Sequence, residues 1–172
     1  MFKRFGQIFW GLLLVILDFR INHFDILPDI IGYILVAVGC AGLAGVSPRF
    51  ATAGRLCWVL VVFEILRYGL RGGGWLLEFI GLVVNCAMMW HLLGGVMDLA
   101  AARQRTDLHQ RASNRRIAYV VLMCFATLIG LVAQGWRDTA VLMVVLFIVC
   151  FIPLLVLILH LIYRVQHELA DW

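Results

Sequence analysis

The chain has 172 residues, of which 64% are hydrophobic and 14% charged, and its mean hydropathy is +1.00. An ordinary soluble domain is about half apolar and about a quarter charged, so this composition excludes a soluble globule. A helix that crosses a bilayer needs about 20 residues, which leaves room for about seven spans and for no large domain outside the membrane. The formal net charge is +4, but the basic residues are spread over short loops, which argues against a nucleic-acid partner.

Six apolar segments bounded by charged or turn residues are the predicted membrane spans. Segments of this kind satisfy their backbone in a bilayer only as helices, so the sequence predicts an all-α fold. We expect a polytopic transmembrane helix bundle of about six spans, with a single transmembrane domain over residues 1–172. The first segment is short and the third contains Glu64, so either one can be re-entrant instead of crossing fully. The segments are 5–17, 30–46, 56–70, 75–97, 117–134 and 139–163.

Two local signals add detail to these helices. Ser113 is a predicted N-cap for the fifth helix, since its hydroxyl can accept a hydrogen bond from a free N–H at a helix start. Small residues recur every four positions in the second segment, at Ala37, Ala41 and Gly45. Such a stripe lets another helix approach closely, so it indicates packing within the monomer or a seam between two copies.

The basic residues indicate how the spans are oriented. With six spans, one side of the membrane receives ten of the 14 Lys and Arg residues, and the other side receives four. The positive-inside rule therefore predicts a multi-pass protein of the cell membrane with both termini in the cytoplasm. The loop 103–116 carries five arginines against Asp107. We expect this loop to attract anionic lipid headgroups rather than to dock a specific cytosolic protein.

The loop between the first two segments concentrates polar groups. Asp18, Arg20, Asp25 and Asp29 lie within twelve residues, more than a loop needs to remain hydrated. With their neighbours they form the pattern D-x-R-x-x-x-F-D-x-L-P-D-x-x-G-Y over residues 18–33. This pattern resembles one found in small, uncharacterised integral membrane proteins of Gram-positive bacteria. The resemblance implies a defined structural element and no particular reaction.

Further charged residues fall at the same predicted level as this loop. Glu64, Arg67 and Arg71 stand at i, i+3 and i+7 and so share one face of the third helix, and Glu78 opens the fourth. Charged groups within a span are costly unless they are paired or hydrated. They therefore indicate either a ligand-binding site or a network of ion pairs that joins the helices. We expect Glu64 to pair with Arg67, Arg71 or an arginine of the first loop rather than to face lipid. The candidate ligand-binding residues are Asp18, Arg20, Asp25, Asp29, Glu64, Arg67, Arg71 and Glu78.

These features favour one function over two others. The leading hypothesis is a small binding or transport component that holds a cation or small polar solute at an outward-facing acidic and arginine cluster. The alternative is a non-catalytic assembly or envelope-structure protein whose charges form internal ion pairs. An enzyme is the least favoured class, because the sequence has no zinc-protease, nucleophile-elbow, C-x-x-C or phosphate-loop motif. The sequence identifies no metal or cofactor, and beyond the lipid bilayer it leaves open a homo-oligomer or a larger membrane complex.

Overall fold

Six α-helices make up the part of the chain that the structure, a computed structural model, describes. The described residues are 2–17, 26–69, 74–133 and 137–168, and every regular element within them is helical. The predicted all-α fold class is therefore confirmed. The helices are α1 (Phe2–Leu17), α2 (Ile26–Ala41), α3 (Pro48–Gly69), α4 (Gly74–Ala102), α5 (Thr106–Ala133) and α6 (Arg137–Glu168).

Three helical segments are long and apolar enough to cross a membrane. They are Leu76–Ala102, Thr106–Ile129 and Val145–Glu168, which have 27, 24 and 24 residues. At a rise of about 1.5 Å per residue, each exceeds the hydrocarbon thickness of about 30 Å. A shorter apolar segment, Asp29–Ala41, lies in α2. These segments support the predicted class of membrane protein with transmembrane helices.

The helices form a closed ring. Each one packs against the next in the chain, and α6 returns to pack against α1. The start of α1 and the end of α6 lie together, since a Cβ placed on Gly6 would be 3.6 Å from the Gln166 side chain. We call this end of the ring the basic end, because most of the basic residues lie there, and we call the other end the cavity end. The basic end holds Lys3, Arg4, Arg49, Arg55, Arg103, Arg105, Arg111, Arg115, Arg116 and Arg164.

α1 and α2 approach each other closely through two glycines. A Cβ on Gly11 would lie 2.6 Å from the carbonyl oxygen of Gly32, and a Cβ on Gly32 would lie 2.7 Å from the carbonyl oxygen of Gly11. Any side chain at either position would force the two backbones apart. In a bilayer the hydrophobic effect does not drive helices together. Small residues at such a crossing stabilise the helix pair instead, because they increase van der Waals contact between the backbones.

The stripe of small residues on α2 contributes to packing within the monomer at two of its three positions. A Cβ on Gly54 of α3 would lie 3.4 Å from the carbonyl oxygen of Ala37 and 3.8 Å from the amide nitrogen of Ala41. Gly45 lies beyond the end of α2, and a Cβ there would meet no heavy atom within 4 Å. Gly45 therefore makes no close approach within the monomer, because the helix ends before reaching it.

Four helices extend by five residues or more beyond the apolar segments that predicted them. α3 begins at Pro48 rather than at 56, α4 continues to Ala102, α5 begins at Thr106 rather than at 117, and α6 continues to Glu168. The predicted N-cap at Ser113 is therefore wrong, since Ser113 lies inside α5. Hydropathy marks the apolar length of a helix, whereas the helix continues for as long as its buried face finds partners. Apolar side chains buried within these extensions include Phe50, Leu99, Leu108 and Val165.

Candidate functional site

A cavity of about 560 Å³ lies inside the ring, towards the cavity end. All six helices contribute to its lining, from Leu12 of α1 to Ile158 of α6. This volume is in the range of about 300–1,000 Å³ that is typical of small-molecule sites. The polar side chains that line it are Asp29, Tyr33, Glu64, Arg67, Glu78, Asn85 and Tyr119.

The cavity brings together four of the eight candidate residues from the sequence. Asp29 comes from α2, Glu64 and Arg67 from α3, and Glu78 from α4. These helices are neighbours in the ring, and their ends meet at the cavity end. The remaining candidates, which are Asp18, Arg20, Asp25 and Arg71, lie outside the described residues.

Glu64 and Arg67 form an ion pair on the wall of the cavity. Arg67 Nη2 lies 2.8 Å from Glu64 Oε2, and the predicted pairing of Glu64 with a nearby arginine is confirmed. The Glu64 side chain is 14% exposed and the Arg67 side chain is 45% exposed. Glu64 therefore lies deeper in the cavity wall than Arg67. Glu64 Oε2 is buried and has no hydrogen bond of good geometry within the described part of the chain. The pair therefore neutralises charge while the carboxylate retains capacity to accept further hydrogen bonds.

A second polar group crosses the interior of the ring. Asn85 Nδ2 donates to the Tyr33 hydroxyl oxygen at 3.1 Å, and the Tyr119 hydroxyl donates to Asn85 Oδ1 at 3.1 Å. Both tyrosines are buried. The hydroxyl proton of Tyr33 is not used in its bond with Asn85, so this hydroxyl can still donate to another group. The three side chains join α2, α4 and α5.

The sequence carries a weak signal for two of these three residues. Tyr33 ends the sixteen-residue pattern, while Asn85 is a polar side chain in the middle of an apolar run, a position that usually indicates a role. Tyr119 carries no such signal, because its ring fits the apolar start of its segment. The contact between Tyr119 and Asn85 depends on the rotation of α4 against α5, which residue order alone does not determine.

The rest of the lining is mostly apolar and includes aromatic rings and methionines. Phe63 and Phe151 line the cavity together with the two tyrosines. The face of an aromatic ring attracts cations, and this attraction strengthens where water is excluded. Carboxylates beside aromatic faces can thus hold an organic cation by its charge and by its apolar body. The methionines in the lining are Met88, Met89 and Met123.

Among the described residues, no three His, Cys, Asp or Glu side chains lie close enough together to hold a metal ion. No family model, curated protein sequence or solved structure matches the chain.

Proposed function

We propose that the protein crosses the cell membrane six times and binds a small organic cation in its central cavity, as a binding or transport component. Three apolar helices long enough to span a bilayer support the membrane part of this proposal. The closed ring supports six spans, because α1, α2 and α3 complete it around the same interior as the apolar helices α4, α5 and α6. An up-and-down ring of this kind carries its connections at its two ends.

The proposed orientation has the basic end in the cytoplasm, with both termini. Ten of the 14 basic residues belong to that end, and the positive-inside rule links such an excess to the cytoplasmic side. The cavity end then faces the outside of the cell. A solute from outside would thus meet the acidic lining first.

The observation that carries the proposed ligand is the composition of the cavity lining. Three carboxylates, from Asp29, Glu64 and Glu78, share the described lining with one guanidinium, that of Arg67. An excess of one sign of charge in a cleft with apolar walls raises the local concentration of ions of the opposite sign. The aromatic walls and the volume suit an ammonium group that carries an apolar body rather than a bare ion.

Thermal unfolding of the detergent-solubilised protein with tetraethylammonium chloride as the probe tests this proposal. We expect the melting temperature to rise with probe concentration, because a ligand that binds only the folded state stabilises it by mass action. Glu64→Gln and Glu78→Gln should reduce that rise. Glu168→Gln is the matched control, since Glu168 pairs with Arg105 and Arg164 at the other end and should leave the rise intact.

Equal concentrations of sodium chloride control for ionic strength. No rise with tetraethylammonium beyond that of sodium chloride would contradict the proposed ligand class. An equal loss of the rise in Glu168→Gln would contradict the proposed location.

The ion pair between Glu64 and Arg67 favours a second candidate, a structural protein whose charges join its helices. In that case each single neutralisation, Glu64→Gln or Arg67→Gln, leaves one charge of the pair without its partner, and the double variant recovers much of the lost stability. Recovery in the double variant, together with no response to the probe in the parent, would select this candidate over the binding component.

A further inference from the structure

The exposed surface of α5 changes character near residue 116. Arg111 and Asn114 are exposed and polar, whereas Ile117 and Val121 are 54% and 61% exposed and begin an apolar stripe. Such a change marks the level at which a membrane helix passes from headgroups into hydrocarbon. Trp90 of α4 is exposed at this same level, and tryptophan is enriched at membrane–water interfaces.

Arg116 lies at this boundary in an unusual setting. Its guanidinium carbon is 3.3 Å from the centroid of the Trp90 ring, and its Nη1 atom is 3.9 Å from the sulfur of Met97. Its Nε atom is buried and has no hydrogen-bond partner among the described residues. Stacking on the indole holds the guanidinium plane in place, while N–H groups at its edge are left for an acceptor.

Asp98, whose charge acts on Arg116, does not provide that acceptor. Asp98 accepts a hydrogen bond from the Ser47 hydroxyl at 2.6 Å, and it forms an ion pair with Arg49 Nε at 3.4 Å. Arg49 and Arg116 both act on this one carboxylate, so two cations face one anion and a single positive charge is left over. A buried donor that protein groups leave unsatisfied indicates a missing water, ion or ligand.

We infer that Arg116, stacked on Trp90, is the headgroup site for an anionic phospholipid. The phosphodiester carries one negative charge, which matches the charge left over at Arg116, and its two free oxygens suit the fork of a guanidinium. The lipid's acyl chains then lie along the apolar surface that begins at Ile117 and along Val83, which is exposed seven residues before Trp90 on the same face of α4. A soluble phosphate has no acyl chains that would contact this apolar surface. The site does not depend on what the cavity binds.

Native mass spectrometry of the detergent-solubilised protein tests this inference by counting the molecules that remain bound. The probes are dioleoyl phosphatidylglycerol, dioleoyl phosphatidylcholine and inorganic phosphate. We expect the parent to retain one phosphatidylglycerol in preference to phosphatidylcholine, and Arg116→Gln to weaken that binding by about tenfold, the effect of losing a charged hydrogen bond. Arg111→Gln removes the same charge from an exposed position on the same helix and should change binding by less than about twofold.

Three outcomes would overturn the inference. Equal losses in Arg116→Gln and Arg111→Gln would indicate diffuse attraction to the basic end. Equal retention of the two lipids would exclude recognition of the net charge. Displacement of phosphatidylglycerol by millimolar inorganic phosphate would identify a soluble ligand instead.

Arg116→Lys covers the case in which Arg116→Gln does not fold. Lysine keeps the charge but loses the planar stack and the paired hydrogen bonds, so we expect weaker binding of phosphatidylglycerol again. Binding as tight as in the parent would count against the site.

Discussion

Asn85 of α4 donates a 3.1 Å hydrogen bond to the hydroxyl oxygen of Tyr33 on α2, although α3 lies between these two helices in the ring. The bond therefore crosses the interior. Tyr119 of α5 donates to the same amide, so one side chain connects three helices beside the cavity. Polar groups in such a setting stabilise the bundle only while all of them find partners.

Asn85→Ala should destabilise the folded protein by about 1–2 kcal/mol, because it leaves the hydroxyls of two buried tyrosines without their shared partner. The free energy of unfolding, measured by titration with a denaturing detergent, checks this value. Gln110→Ala is the matched control. Gln110 bonds Asn114 on the exposed surface of α5, so its loss should change stability by less than about 0.5 kcal/mol. Similar effects in both variants would mean that the bond across the interior contributes nothing of its own.

The sequence was sufficient to predict one part of the cavity and not the other. Glu64 and Arg67 are three residues apart on one helix, so their spacing places them together, and the cost of charge within a span requires a partner. No such local rule connects Tyr119 with Asn85. Their contact depends on the offset and rotation of α5 against α4, and these follow from packing over the whole length of both helices.

The same distinction applies to the helix ends. The apolar core of each predicted span lies within a helix, because apolar length is a property of the local sequence. The segment 106–116 is polar and offers no such signal. It is helical because Leu108 and Ala112, four residues apart, are buried against neighbouring helices, and those partners lie elsewhere in the chain.

Gly11→Ala should destabilise the protein by about 1–3 kcal/mol, the usual cost of overpacking a close contact. The added Cβ would lie 2.6 Å from the carbonyl oxygen of Gly32, and a backbone atom cannot move aside as a flexible side chain can. Thermal unfolding in detergent measures the effect. Gly45→Ala, where a Cβ meets no heavy atom within 4 Å, should leave the melting temperature almost unchanged. A parent-like melting temperature for Gly11→Ala would show that α1 and α2 can separate at little cost.

Ser47→Ala should also destabilise the protein, by about 1–2 kcal/mol. Ser47 is 2% exposed, its hydroxyl donates to Asp98 at 2.6 Å, and the same oxygen accepts from the Arg49 amide at the start of α3. The change therefore removes both a helix cap and a bond between α3 and α4. Thr52→Ala is the control, because its hydroxyl only bonds the Pro48 carbonyl within the same helix. Equal unfolding free energies for the two variants would contradict the proposed role of Ser47.

Cysteine labelling in intact cells tests the proposed orientation. In a variant whose five native cysteines are replaced by alanine, a cysteine introduced as His23→Cys falls between α1 and α2 in the sequence, outside the described residues. We expect it to react with a membrane-impermeant maleimide, because the basic end, with ten of the 14 basic residues, should be cytoplasmic, and α1 ends and α2 begins at the opposite end. Ala102→Cys, at the exposed end of α4, is the matched position on the basic end and should react only after the membrane is permeabilised.

The reverse pattern would place the cavity end in the cytoplasm, so that its acidic lining would meet solutes from inside the cell. Labelling of both positions in intact cells would contradict a ring whose two ends lie on opposite sides of the membrane.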